Sequence, residues 1–280
     1  MIPYDFDYIR PAAIQDALNT YQQREAEGSR VIYYAGGTEF ISLSRLGQLQ
    51  VDAVIDLKGI PECNVLENRN SMLAIGSAVT LSKLSDARLF PLLGEQVRGI
   101  ASRLPRNRIT LGGNLAGKTI YREAALPLLV CDAQAVVARK NGTETVPLAS
   151  VFDGQLRLAA GEFIVQFLVA EQAAAWPFFS VKKTSISAVD YPLVSLASVW
   201  QDGKIRVAIG GVCGRPFRSA HVEEALNDPA LKLEERIRQA VHNLPEPVVS
   251  DEFATGAYRK FLLEIALADA CRAREGGMAP

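Results

Sequence analysis

Val31-Ile32-Tyr33-Tyr34-Ala35-Gly36-Gly37-Thr38-Glu39-Phe40 is the stretch on which the reading of the fold turns. Four apolar and aromatic residues read as a short buried strand. They run straight into a double glycine, and Phe40 to Leu46 then has a helical pattern. The glycines therefore sit at a strand-to-helix turn. Glycine adopts φ > 0 at little cost, so successive backbone N–H groups can converge there. Such a nest at a helix N-terminus is a natural pyrophosphate site. Thr38 adds a hydroxyl donor or a helix cap. The same residues also suit an ordinary tight turn with an N-cap.

Working outward, Pro11 suits a first helical turn, and Ile14, Ala17, Leu18 and Tyr21 form an amphipathic stripe that Gly28-Ser29 ends. Short strands are expected at Ala53–Leu57, Val65–Glu67 and Met72–Gly76, with turn chemistry at 68–71. Helices are expected at Thr80–Ala87, Pro91–Ser102 and Glu123–Val130. Asn141-Gly142 marks a hairpin between Ala133–Ala138 and Thr143–Val146, and Glu162–Ala170 is a further strand. Beyond a connector at 172–177, strands at Phe178–Lys183, Leu193–Trp200 and Lys204–Gly210 precede helices at Ser219–Leu226, Leu231–Leu244 and Phe253–Arg274. The Gly276-Gly277 tail is expected to fray. This is an α+β chain with a separate C-terminal domain of three antiparallel strands and helices, and a boundary at 175/176.

Composition narrows the function. Of 280 residues, 30 are Lys or Arg and 31 Asp or Glu, for a net charge of −1, so the basic excess of a nucleic-acid binder is missing. No apolar run reaches the ~20 residues needed to span a bilayer, and the acidic start at Asp5 and Asp7 does not resemble a signal peptide. A cytoplasmic location is expected. The four cysteines, Cys63, Cys131, Cys213 and Cys271, form no C-x-x-C pair, and His221 and His242 are the only histidines. No metal site is expected within the chain.

A second glycine-rich stretch, Gly112-Gly113-Asn114-Leu115-Ala116-Gly117-Lys118-Thr119, fits the G-x-x-x-x-G-K-[ST] pattern of a phosphate-binding P-loop. Its context does not fit. A P-loop follows a buried strand, whereas Arg103-Leu104-Pro105-Arg106-Asn107-Arg108 precedes this one. An NTP-binding protein using Gly112–Thr119 is the alternative reading. No G-x-G-x-x-G occurs, so a Rossmann site is unsupported.

Taken in order, the motifs resemble the FAD-binding medium subunit of the molybdenum hydroxylases, the family of xanthine dehydrogenase and carbon monoxide dehydrogenase. Phe6-Asp7-Tyr8-Ile9-Arg10-Pro11 is similar to its aromatic-x-x-x-R-P opening. Ala35-Gly36-Gly37-Thr38-Glu39 matches A-G-G-T-D/E. Arg106 to Leu115 matches R-N-x-x-T-I-G-G-N-I/L, with Ile109 where glycine is usual. Leu126 to Ala133 resembles P-x-L-L-A-L-D-A, and Tyr258-Arg259-Lys260 opens the last helix as in the family.

The resemblance implies a domain at 1–175 built of two FAD-holding subdomains, split near 53, and a smaller domain at 176–280. It implies that Ala35, Gly36, Gly37, Thr38 and Glu39 wrap the FAD pyrophosphate, with Thr110, Gly112, Gly113 and Asn114 facing it through backbone amides. The family's S-P-x-x-D is absent; Glu123 is the nearest acid to that sugar-contacting aspartate. Lys182 is expected near the flavin, where a cation stabilises the reduced form, and Tyr191 is expected to stack on the ring. The implied partners are a molybdenum-cofactor large subunit and a [2Fe–2S] small subunit, with NAD or another acceptor taking the electrons. No catalytic side chain is expected on this chain.

Overall fold

The computed structural model describes residues 2–186 and 190–275. The Gly276-Gly277 tail and residues 187–189 lie outside the described residues.

Three sheets follow one another along the chain. The first is built from β1 (Asp7–Ile9), α1 (Ile14–Ala26), β2 (Val31–Tyr34), α2 (Thr38–Arg45) and β3 (Ala53–Asp56). β3 is central and parallel to both neighbours, so each strand-to-strand link needs a crossover, which α1 and α2 supply. Val54 and Ile55 are adjacent on β3 and therefore face opposite sides. Ile55 packs with Ala17 and Leu18 of the α1 stripe. Val54 packs with Phe40 of α2. The change to the second sheet comes after β3, later than a split near residue 53.

The second sheet holds β4 (Leu66–Arg69), β5 (Met72–Gly76), β6 (Gln134–Arg139), β7 (Gly142–Pro147) and β8 (Phe163–Ala170), ordered β4-β5-β8-β6-β7. All its pairs are antiparallel. Between β5 and β6 the chain forms α3 (Leu81–Ala87), α4 (Pro91–Arg98), α5 (Arg103–Arg106), α6 (Leu111–Ala116) and α7 (Ala125–Val130). Their Leu81, Leu93, Leu111, Leu115 and Leu126 bury against Leu73, Ile75, Val137 and Phe167 of the sheet. The short helices α8 (Leu148–Val151) and α9 (Glu171–Ala174) flank β8.

The third sheet follows a connector. Strands β9 (Phe178–Thr184), β10 (Pro192–Gln201) and β11 (Lys204–Gly210) are the three expected, and a two-residue β12 (Phe217–Arg218) adds a fourth at the edge. Helices α10 (Ala220–Leu226), α11 (Leu233–His242) and α12 (Gly256–Glu275) close the chain. β10 is buried from end to end of residues 192–199 because both its faces are covered. Ala197 and Val199 join the core of the second sheet, whereas Val194 and Leu196 pack under the closing helices. Among the described residues, no helix is long and apolar enough to cross a membrane.

Candidate cofactor site

The first glycine turn is where two parallel strands end side by side, Tyr34 of β2 pairing with Asp56 of β3. Gly37 caps α2 in the left-handed region, at φ +70°. A Cβ there would also run into the Tyr34 ring. Gly36 packs so closely on the Arg108 carbonyl that a Cβ would overlap it. Thr38 is the first helical residue and leaves the cap to Gly37. The N–H groups of Gly36 and Gly37 donate to no acceptor among the described residues. The first N–H groups of a helix lack intrahelical partners too, so a run of open donors faces outward at a positive helix end.

The second loop has a different construction from the one the sequence suggested. Residues 111–116 are helical, capped by Thr110, whose Oγ1 accepts the Gly113 N–H at 3.1 Å. The Gly112 N–H donates to the Ser77 carbonyl at 2.9 Å, and the Asn114 N–H to the Thr110 carbonyl at 2.8 Å. These amides are already engaged, so the expected second nest is instead a close-packed wall. Gly112 is small because a Cβ would lie 2.8 Å from Ser77 Cβ. Asn114 Oδ1 accepts the Ala124 N–H at 3.1 Å, which leaves its amide NH₂ as the polar group on offer. Glu39 ties the two loops together by accepting the Lys118 N–H at 2.8 and 3.1 Å.

A P-loop is absent. Helix α5 precedes the loop where a strand is required, and Lys118 and Thr119 follow α6 rather than heading a helix. The apolar run before Asp132 is α7, not a strand.

Between the loops lies a cleft of about 360 Å³, lined by Tyr33 to Phe40 on one side and Ile109, Thr110, Gly113, Ala116, Gly117 and Lys118 on the other. It shares Tyr33, Tyr34, Ala35, Gly113 and Ala116 with an adjoining cavity of about 170 Å³. That second cavity is walled by Leu57, Leu156, Leu158, Phe163 and Ile164, with Ser77 as a polar point. Ser77 is buried and its Oγ has no normal hydrogen-bond partner; it lies near enough to the Cys63 sulfur, a weak acceptor, for its hydroxyl to donate there. Sequence reading missed Ser77 because its place here comes from the Gly112 contact across the fold. A comparably large cavity of about 410 Å³ lies beside Asp132 and Arg218. Its charges are spent on one another, Arg218 pairing with both Asp132 and Glu223.

Four expected site residues lie elsewhere: Asn114, Glu123, Lys182 and Tyr191 line neither cavity. Glu123 is buried, and Lys182 Nζ sits 3.1 Å from its carboxylate and 2.8 Å from the Gly99 carbonyl. Ser195 Oγ donates to Glu123 at 3.1 Å, and Gln96 donates to Ser195 at 2.6 Å. Burial pushes the Glu123 carboxyl up against the opposing pull of Lys182 and Ser195. The pair joins α4 and α7 to the third sheet, and neither residue lines the cleft. Tyr191 is exposed and stacks on Tyr121, with ring centroids 4.6 Å apart and planes 15° from parallel.

Comparison with known proteins identifies the family. Residues 4–169 match the model of the FAD binding domain in molybdopterin dehydrogenase. The chain belongs to that family. The nicotine 6-hydroxylase medium subunit of Paenarthrobacter nicotinovorans is 30% identical over 238 residues, 81% of this chain and 82% of the relative. The carbon monoxide dehydrogenase medium chain of Hydrogenophaga pseudoflava is 32% identical over 194 residues, 65% of this chain and 66% of that one. The solved carbon monoxide dehydrogenase from the same organism superposes with a TM-score of 0.87 at 23% identity, each chain covered over 100%. The fold is thus that of this flavoprotein family, and the chain is an FAD-binding oxidoreductase subunit.

The residues present fit FAD. Open donors at Gly36 and Gly37 suit a diphosphate, the Ser77 hydroxyl suits a sugar oxygen, and the walled cavity suits a planar ring. When bound, FAD supplies a centre that takes up and releases electrons singly or in pairs. The chain's part is to bind and orient it.

Proposed function

We propose that this chain is the flavin subunit of a molybdenum hydroxylase complex. In this reading a [2Fe–2S] subunit delivers electrons that originate on a molybdenum-cofactor subunit, and FAD held here passes them to NAD or another acceptor. The observation that carries it is the cleft between the Ala35–Glu39 turn and the Thr110–Gly113 wall, with its unpartnered amides. The relatives support the division of labour, since they are named as medium subunits or chains. The cysteines support it too. The four form no disulfide among the described residues and are dispersed through the fold. Burial pushes the Cys63 and Cys213 thiols up to about 11, away from the thiolate form that ligation requires.

The Gly36–Glu39 amides are assigned to the diphosphate, and the Ser77 hydroxyl to the sugar portion. Co-expression with the neighbouring genes tests the reading. A flavin-loaded complex containing a [2Fe–2S] chain and a molybdenum chain should purify as a unit, and the flavin chain alone should oxidise almost no substrate. Full hydroxylase activity from this chain by itself would refute the division of labour.

A further inference from the structure

Beside the glycine turn lies a charged cluster that the cofactor assignment does not use. Asp56, the last residue of β3, is fully buried. It accepts from the Tyr8 hydroxyl on one oxygen and from Lys58 Nζ, at 2.7 Å, on the other. The Lys58 backbone N–H donates to the same carboxylate at 2.9 Å. Lys58 Nζ also donates to the Ala35 carbonyl at 2.6 Å and stands 4.5 Å above the centre of the Tyr34 ring. Burial alone would raise the Asp56 carboxyl, but Lys58 and Tyr8 hold it below its ordinary value, so Asp56 is a carboxylate.

The placement of this ammonium has a geometric consequence. In a trans peptide the carbonyl of one residue and the N–H of the next point to opposite sides. Among the described residues no peptide bond is cis. A cation that pins the Ala35 carbonyl therefore also sets the direction of the Gly36 N–H. Lys58 does not line the cleft, whereas Ala35 and Gly36 do. The carbonyl is drawn back towards Lys58, and the N–H is left pointing the other way.

We propose that Lys58, braced by Asp56 and Tyr8, is a positioning residue that aims the Gly36 amide at the diphosphate of the bound dinucleotide. This rests on the reading of the cleft as the FAD site. Without the clamp the peptide between residues 35 and 36 is free to rotate, because glycine imposes little preference of its own. The amide would then have to be ordered at the moment of binding, which weakens affinity. Lys58 acts through the backbone, so its effect is confined to ligands that carry the diphosphate.

The test measures FAD and riboflavin affinities by flavin fluorescence, on full-length protein freed of its flavin, for wild type, Lys58→Met and Lys58→Arg. Lys58→Met should lower the ratio of FAD to riboflavin affinity by about tenfold or more, the effect of a lost charge-assisted hydrogen bond. Lys58→Arg keeps a donor for both partners and should restore most of the ratio. A purely structural role would move the melting temperature, or both affinities together, and leave the ratio alone. If Lys58→Met does not fold because Asp56 is stranded, Lys58→Met/Asp56→Asn removes the pair as a unit and should show the same loss. An unchanged ratio in a wild type that binds FAD overturns the clamp and spares the cofactor assignment. Absence of FAD binding by wild type overturns the assignment itself.

Discussion

Gly37→Val is expected to lose FAD while keeping its fold. Gly37 holds φ +70°, a region that costs a β-branched residue about 1–3 kcal/mol. The new side chain would also drive into the Tyr34 ring. Tyr34 cannot move freely, since it lines both cavities and lies beneath Lys58. The strain falls on the turn that carries the open amides and on the small Phe40–Val54 core beside it, while the two larger hydrophobic cores lie elsewhere. Together these effects should weaken FAD binding by roughly 3 kcal/mol, about a hundredfold. Circular dichroism and an equilibrium flavin titration on the same preparation decide the matter. A variant that folds and binds FAD as tightly as wild type removes the turn from the site.

Arg259→Ala should produce the largest loss of stability. Arg259 is fully buried at the start of α12. Its guanidinium donates to the Gly211 carbonyl at 2.7 Å, the Leu193 carbonyl at 3.1 Å and both oxygens of Asp251 at 2.7 Å. It therefore fastens the last helix to two strand ends of the third sheet. Truncation strands these acceptors, at a cost of about 3–5 kcal/mol, a large share of a typical domain's total stability. The melting temperature should fall by roughly 10 °C.

The pH dependence follows from the sign of the Asp251 shift. Burial raises this carboxyl, but Arg259 and two backbone N–H groups hold it below its ordinary value. Its contribution is present above about pH 3.9, the unfolded value, and is lost as pH falls through the depressed folded value. The gap between wild type and Arg259→Ala should therefore narrow in strong acid. A gap that is small at neutral pH, or that widens in acid, contradicts this account of Arg259.

The sequence showed the elements more fully than the contacts between them. The α1 stripe and the strand-to-helix turn were legible because each is set by its own local pattern. The strands β1 and β12 were not, being three and two residues long and held by pairing with distant partners. Helix α6 was hidden because its double glycine reads as a loop. Thr110 caps it, and burial of Leu111 and Leu115 overrides the poor propensity.

The same limit applies to the site. Local pattern located both glycine loops, but it could not show that the second one's amides are spent on Ser77 and Thr110. The family resemblance implied Lys182 near the cofactor, yet only the fold brings that residue against Glu123. Lys58 left no local signal. It became a neighbour of Ala35 because β2 and β3 run parallel and end in register.

The central claim is that the cleft between the two glycine loops holds FAD without a covalent bond. The most direct measurement is acid precipitation of the natively purified chain, followed by chromatography of the supernatant and the pellet. The account predicts FAD in equimolar amount to the chain, all of it in the supernatant, because neither loop offers a histidine or cysteine for attachment. A colourless protein that binds Mg²⁺-ATP, or flavin that stays with the pellet, would contradict it.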